Sequence, residues 1–409
     1  MSNLISCTPF FASAGVERFA DIRANFFSKI FATIRAECLG RPAIARLTSA
    51  AIIILLASCS TTQIVEVRSA KPTAPASERG VDATPELSPA LQRLSDEARA
   101  LEPLAASDLG RRFLAATASL PIVRPRVVFQ NPQTREYYSP AEIAALSDAT
   151  KTKLVQTELD EYRYYYTKYG SPLAYVRALD IASRNGFVDV KGKRVLDYGY
   201  GSIGHLRLLA SLGGHMTGVD PDSYLDALYS EPSDQGEVAL AARRSLFGRA
   251  GTVTLVHASY PKDGKAAERV GQGYDLILSK NTLKRGYIKP ERKVDKHLMV
   301  DLGVSEDAFL KTLFNALNPG GKMLIYNLYP KAAAANEKYK PFADGRSPFS
   351  REQYEKIGFH VLAIDREDNA AIRQVGRALK WDQNDKNEVI DDLETNLFAM
   401  YTLVEKPGR

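Results

Sequence analysis

From Lys193 onward, short apolar runs alternate with amphipathic stretches, and this alternation constrains the fold more than any other feature of the chain. The runs are Arg194 to Tyr198 (RVLDY), His215 to Asp220 (HMTGVD), Val253 to Ala258 (VTLVHA), Tyr274 to Ser279 (YDLILS), Lys322 to Asn327 (KMLIYN), His360 to Asp365 (HVLAID) and Leu397 to Val404 (LFAMYTLV). Helical patterns lie between most of them, including Ile203 to Leu212, Glu237 to Phe247 and Ser305 to Leu317. Short apolar strands separated by helices build a mostly parallel sheet with helices on both faces.

Upstream, residues 91 to 170 read as a mainly helical cap. Leu91, Leu94, Ala98 and Leu101 fall on one helical face, followed by Leu114 and Ala115. Val127, Val128 and Phe129 suit a short strand, and Pro140 opens a helix with Ser139 as its N-cap. A further helix is expected from about Lys153 to Tyr169, carrying Tyr162, Tyr164, Tyr165, Tyr166 and Tyr169. Five tyrosines in eight positions cannot share one face, so some must be exposed or lie over another part of the chain.

Composition bounds the rest. With 409 residues, 45% apolar and 25% charged, the chain is globular rather than disordered or polytopic. Half of its net charge of +6 comes from residues 1 to 60, where six basic residues face three acids. The remaining body mixes both signs, so no nucleic-acid partner is expected. Cys7, Cys38 and Cys59 are the only cysteines, which excludes disulfides, thiolate metal sites and a cysteine nucleophile from the body; no metal is expected.

Leu47 to Ser58 (LTSAAIIILLAS) follows Arg41 and Arg46 and is too short to span a bilayer, but it has the length of a signal-peptide core. Leu56-Ala57-Ser58-Cys59 resembles the bacterial lipobox. That resemblance implies lipidation of Cys59, a membrane anchor and a place in the cell envelope; the other reading is an apolar helix with an incidental cysteine in a cytoplasmic protein. Ser60 to Pro89 has the Ser/Thr/Ala/Pro composition of a flexible tether. The expected divisions are 1–59 extension and signal, 60–90 linker, 91–170 cap and 171–409 sheet domain.

The chemistry concentrates at the end of the first sheet strand, which runs into Asp197-Tyr198-Gly199-Tyr200-Gly201-Ser202-Ile203-Gly204 and then a helix. A glycine turn there lets a ligand approach the backbone beside a helix N-terminus. The next strand ends in Asp220, placed to accept hydrogen bonds from ribose hydroxyls. Read literally, Gly199-x-Gly201-x-x-Gly204 is a dinucleotide fingerprint. Asp197 at the strand end would repel a pyrophosphate but favour a cationic ligand end, which sets a nucleotide-dependent oxidoreductase behind the next reading.

In these residues the chain resembles the class I S-adenosylmethionine-dependent methyltransferases, over roughly residues 170 to 408. The resemblance continues through Tyr274 to Ser279 as fourth strand, Leu317-Asn318-Pro319-Gly320-Gly321 leading into the fifth, and a closing antiparallel pair. It implies an α/β fold with a seven-stranded, mostly parallel Rossmann-like sheet, helices on both faces, an antiparallel last strand and a helical N-terminal extension. It also implies S-adenosylmethionine as cofactor, held by Asp197, Gly199, Tyr200, Gly201, Gly204, Asp220, Ala258 and Ser259. Two departures stand out: Ile203 replaces the usual third glycine, and His257-Ala258-Ser259 replaces an adenine-binding acid, the nearest being Asp263.

After the fourth strand, where the family places substrate groups, comes Ser279-Lys280-Asn281-Thr282-Leu283-Lys284-Arg285-Gly286-Tyr287-Ile288-Lys289-Pro290. It lacks the Asn/Asp-Pro-Pro-aromatic motif of nucleic-acid amine methylation. Its cations, with Arg292, suit a small anionic acceptor. Lys280, Asn281 and Tyr287 are the candidate catalytic residues, with His297 another source of proton removal. A non-catalytic envelope protein that reuses the fold for binding is the alternative function.

Overall fold

The computed structural model describes residues 87–240, 250–334, 336–384 and 386–408. The signal-like segment, Cys59, residues 60–86 of the linker and most of the expected helix at 237–247 lie outside the described residues.

Eleven strands are described: β1 (Arg126–Gln130), β2 (Tyr137–Tyr138), β3 (Val155–Leu159), β4 (Arg194–Tyr198), β5 (His215–Val219), β6 (Gly236–Glu237), β7 (Thr252–Val256), β8 (Tyr274–Lys280), β9 (Leu317–Tyr329), β10 (His360–Glu367) and β11 (Phe398–Glu405). The large sheet has the order β10-β11-β9-β8-β4-β5-β7-β6. Neighbours from β9 through β8, β4 and β5 to β7 are parallel. β11 runs antiparallel between β9 and β10. This is the expected mostly parallel α/β sheet, with eight strands instead of seven. The additional strand is the two-residue β6, which pairs antiparallel with the β7 edge where a helix was expected to begin.

Alternation along each strand divides the apolar side chains between two cores. Val195, Leu276, Leu278 and Leu324 face one core, and Leu196, Ile277, Met323 and Ile325 face the other. On the first face lie α1 (Pro89–Leu101), α2 (Asp108–Ala115), α3 (Val176–Arg184), α4 (Ile203–Ser211), α5 (Ser223–Leu228) and, from the far end of the chain, α9 (Asn369–Ala378). The second face is covered by α6 (Gly264–Val270), α7 (Glu306–Ala316) and α8 (Arg351–Ile357).

The N-terminal segment is less helical than its sequence suggests. Leu91, Leu94, Ala98 and Leu101 do form the buried stripe of α1, and Ser139 closes a capping box with Glu142. The expected helix at 153–169 does not form as one piece. Val155–Leu159 instead becomes β3 and pairs antiparallel with β1, from Arg126 opposite Leu159 to Gln130 opposite Val155. β1 carries β2 on its other side, giving a small three-stranded sheet. Asp160 then caps a short helix, Glu161–Tyr166, which buries Tyr164, Tyr165 and Tyr166.

One buried ionic cluster ties this segment to the far end of the sheet. Asp180 accepts hydrogen bonds from Ala106 N at 2.9 Å, Ser107 Oγ at 2.6 Å and Arg177 Nη1 at 3.2 Å. Arg177 also forks onto Asp368, which precedes α9. Among the described residues, no helix is long and apolar enough to cross a membrane.

Candidate functional site

The winding of the sheet reverses between β4 and β8: the chain proceeds from β4 outward through β5 to β7, then returns to β8 on the other side. Ligands of open α/β sheets bind at the strand ends beside such a reversal. A cavity of about 420 Å³ opens there, within the range of small-molecule sites.

The glycine turn forms its near wall. Gly199 (φ 76°) and Gly201 (φ 60°) occupy the left-handed region that side chains resist. A Cβ on Gly199 would lie 2.1 Å from Thr282 Oγ1, and one on Gly201 would lie 3.0 Å from the Tyr169 ring. Ser202 caps α4 by accepting from Gly204 N. Gly199, Tyr200 and Gly201 line the cavity; Gly204 stands behind it, its Cα facing Tyr165 O and Pro172.

Asp220 lines the cavity from the tip of β5. Its Oδ1 accepts from Asp222 N at 3.0 Å and its Oδ2 from Gly201 N at 3.4 Å, which fixes the carboxylate beside the glycine turn. Asp222 accepts from Lys168 Nζ at 2.7 Å and Tyr169 Oη at 2.9 Å. Against the cost of burial, these partners and Tyr224 N hold its carboxyl below the usual range. Lys168 and Tyr169 thereby clasp the segment before α3 over the strand tip, so Tyr169 is the member of the tyrosine cluster placed as a lid.

Ala258 and Ser259 line the cavity beyond β7. Asp263 is committed elsewhere, capping α6 at Lys265 N and Ala266 N. His257 packs near the Tyr200 ring, with no hydrogen bond to either ring nitrogen among the described residues. Burial, helped by Arg269, lowers its pKa to about 4.

At the base lies a cluster that the sequence did not foretell. Asp197 is fully buried and does not line the cavity; its Oδ2 lies 2.5 Å from His205 Nε2. His205 stacks flat on Tyr175, centroids 3.7 Å apart at 6°. Burial outweighs the adjacent carboxylate and lowers the His205 pKa, so the ring is neutral. Burial and Asp197 together push the Tyr175 hydroxyl well above its ordinary value. Lys280 ends β8 with Nζ 5.3 Å from the Tyr175 ring centroid.

The remaining loop cations separate by position. Lys284 is buried, with Nζ donating to the carbonyls of Leu328 and Phe342. Arg285 faces Glu291 at 3.5 Å and Lys289 pairs with Glu306 at 2.6 Å. Lys280 and Lys284 line the cavity, whereas Arg285, Lys289 and Arg292 do not. Asn281 and Tyr287 also line it, but Asn281 (φ 64°) spends its Oδ1 on Leu328 N at 2.7 Å, an architectural bond. The His297 side chain lies outside the described set. Sequence reasoning missed Tyr175, Lys168 and Phe342 as wall residues. Only the tyrosine cluster hinted at the first two, and nothing local marks Phe342. No group of His, Cys, Asp and Glu among the described residues is arranged to hold a metal.

No family model matches this chain. No curated protein matches it either. Among solved structures it is similar to the [4+2]-cyclase SpnF, at 15% identity over 57% of this chain and 81% of that one, with a TM-score of 0.33. A second is phosphoethanolamine N-methyltransferase 2 of Haemonchus contortus in complex with phosphomonomethylethanolamine and S-adenosylhomocysteine, at 17% identity over 62% of each chain and a TM-score of 0.35. A third is CrArsM, an arsenic(III) S-adenosylmethionine methyltransferase from Chlamydomonas reinhardtii, at 18% identity over 53% of this chain and 64% of that one, with a TM-score of 0.29. The chemistry of the site rests on the chain's own residues.

Proposed function

We propose that the chain is an S-adenosylmethionine-dependent methyltransferase acting on a small-molecule acceptor. One observation carries this reading: a left-handed glycine turn and the Asp220 carboxylate, one strand over, face the same cavity at the reversal of the sheet. The donor set suits an adenosine-type ligand. Gly199 and Gly201 place backbone without side chains at the cavity wall, Asp220 is held by backbone amides as an acceptor for ribose hydroxyls, and Ala258 and Ser259 offer a small-residue wall for a base. Bound there, S-adenosylmethionine would supply an electrophilic methyl group on a sulfonium. Methyl transfer asks the protein chiefly for in-line positioning. The tips of β8 and β9, across from the glycine turn, are where the acceptor would be oriented.

Calorimetric titration with S-adenosylmethionine, S-adenosylhomocysteine and NAD tests this reading, with Asp220→Ala as control. Binding of the first two, weakened by on the order of 2 kcal/mol in the variant, is expected from loss of charge-assisted hydrogen bonds. Binding of NAD alone, or affinity indifferent to Asp220, would refute it.

We also propose that the enzyme is tethered to the cell envelope through Cys59. Leu56-Ala57-Ser58-Cys59 after an apolar run supports this. Metabolic labelling with a palmitate analogue is expected to vanish in Cys59→Ser; equal labelling would sink the idea.

A further inference from the structure

The cavity changes character across the reversal of the sheet. On the β4, β5 and β7 side its lining is polar, with the Asp220 carboxylate, Ser202, His205 and Ser259. On the β8 and β9 side, Met299, Val300, Leu328 and Phe342 contribute apolar surface to a lining that also holds Lys280, Lys284 and Asp301. Lys280 Nζ makes no hydrogen bond or ion pair among the described residues, and its recorded contact is the Tyr175 ring. Its neighbours are engaged only in part. Asp197, the acid whose charge reaches it, meets His205 through Oδ2 and leaves Oδ1 without a hydrogen bond. Tyr326, opposite Lys280 on β9, donates to Asp368, which Arg177 also holds. Lys284, from the following turn, is spent on two carbonyls. Half-buried at the cavity wall and within reach of the Asp197 charge, Lys280 has no hydrogen-bonded partner among the described residues.

We propose that Lys280 is the proton acceptor of the reaction, and that the acceptor substrate is a small, largely apolar molecule carrying one acidic hydroxyl, phenolic or enolic, seated against the tips of β8 and β9. This deepens the methyl-transfer reading and rests on it. Burial lowers the Lys280 pKa to about 8 against the pull of Asp197, so free amine is present near neutral pH. A cationic amine acceptor would add a second positive charge beside Nζ. A carboxylate would hold the ammonium charged and remove the base. A hydroxyl of amine-like acidity hands over its proton and leaves an ammonium–oxyanion pair. The proton passes from the acceptor oxygen to Nζ. That oxygen's electron pair forms the new bond to the methyl carbon of S-adenosylmethionine, with the methyl–sulfur bonding pair left on sulfur as a thioether. The ammonium then returns its proton to water.

The test uses the full chain with 4-nitrophenol as probe, at a pH below the free phenol's pKa, with S-adenosylhomocysteine titrated in parallel. The wild type is expected to bind the probe as its coloured phenolate. Lys280→Met raises the midpoint for ionisation of the bound probe by about one unit or more. Lys280→Arg keeps a charge but cannot give up its proton, so methyl transfer to the probe falls about 100-fold while S-adenosylhomocysteine affinity is unchanged; this variant decides the matter if the methionine variant does not fold. Binding of the probe in neutral form, or full transfer by Lys280→Arg, overturns the proposal. Failure of S-adenosylhomocysteine to bind the wild type overturns the underlying reading instead.

Discussion

Burial turns two of the histidines into neutral side chains for different reasons. His205 is the partner of the buried Asp197, and removing it strands a carboxylate in the core. His205→Leu is therefore expected to destabilise the protein by about 3 kcal/mol in denaturant unfolding, a larger loss than the apolar replacement recovers. His257 lies 3.7 Å from the half-exposed Asp226 without a hydrogen bond to it, and its folded pKa of about 4 lies below the ordinary 6.5. As pH falls from 6.5 to 4, the unfolded chain takes up a proton that the folded one refuses. Stability is full above pH 6.5 and declines through that window, by about 3 kcal/mol. His257→Phe should flatten that part of an unfolding-versus-pH curve. Lys280 shows the opposite economy of function and stability: its lowered pKa means the fold disfavours its charge despite Asp197, so Lys280→Met is expected to raise the thermal midpoint even as acceptor binding is lost.

At the scale of elements, the strands of the large sheet were legible because each is a compact apolar run whose neighbours are turns or helices. β5 begins at His215 and β8 at Tyr274, as the runs predict. β3 was not legible. Val155, Thr157 and Leu159 alternate, but they lead into a tyrosine-rich segment that mimics a helix, and pairing with the distant β1 decides the outcome. The glycine turn was legible as a motif, but its three glycines do different work. Gly199 and Gly201 serve the cavity, whereas Gly204 lets α4 close on Tyr165 O, where a Cβ would sit 2.6 Å away. Gly204→Ala is thus expected to cost about 1–3 kcal/mol through strain at the start of α4, read by thermal unfolding, with cofactor affinity falling only as the turn is displaced. Asp197 followed the same pattern: its residue type fitted a ligand contact, but only packing revealed that it faces His205.

Across the whole molecule, the segment before the sheet and the sheet itself share one core. Leu94, Leu101, Leu109 and Phe113 are fully buried in the same cluster as Val195, Leu206 and Leu276. The division at residue 170 therefore marks a change in secondary structure within continuous packing. A fragment of residues 171–409 alone is expected to be insoluble or to bind hydrophobic dyes, because it would expose that face; a cooperative unfolding transition in the fragment would contradict this. The same continuity explains why part of the cavity wall escaped sequence reasoning: Lys168 and Tyr175 arrive from outside the alternating pattern that announced the sheet. The clasp of Lys168 and Tyr169 on Asp222 also has a kinetic side. Its ion pair is partly exposed, with Lys168 at 43%, so dissolved salt weakens it. If the clasp must part before a ligand enters, association should quicken as ionic strength rises, the reverse of the slowing that salt imposes on encounters steered by charge.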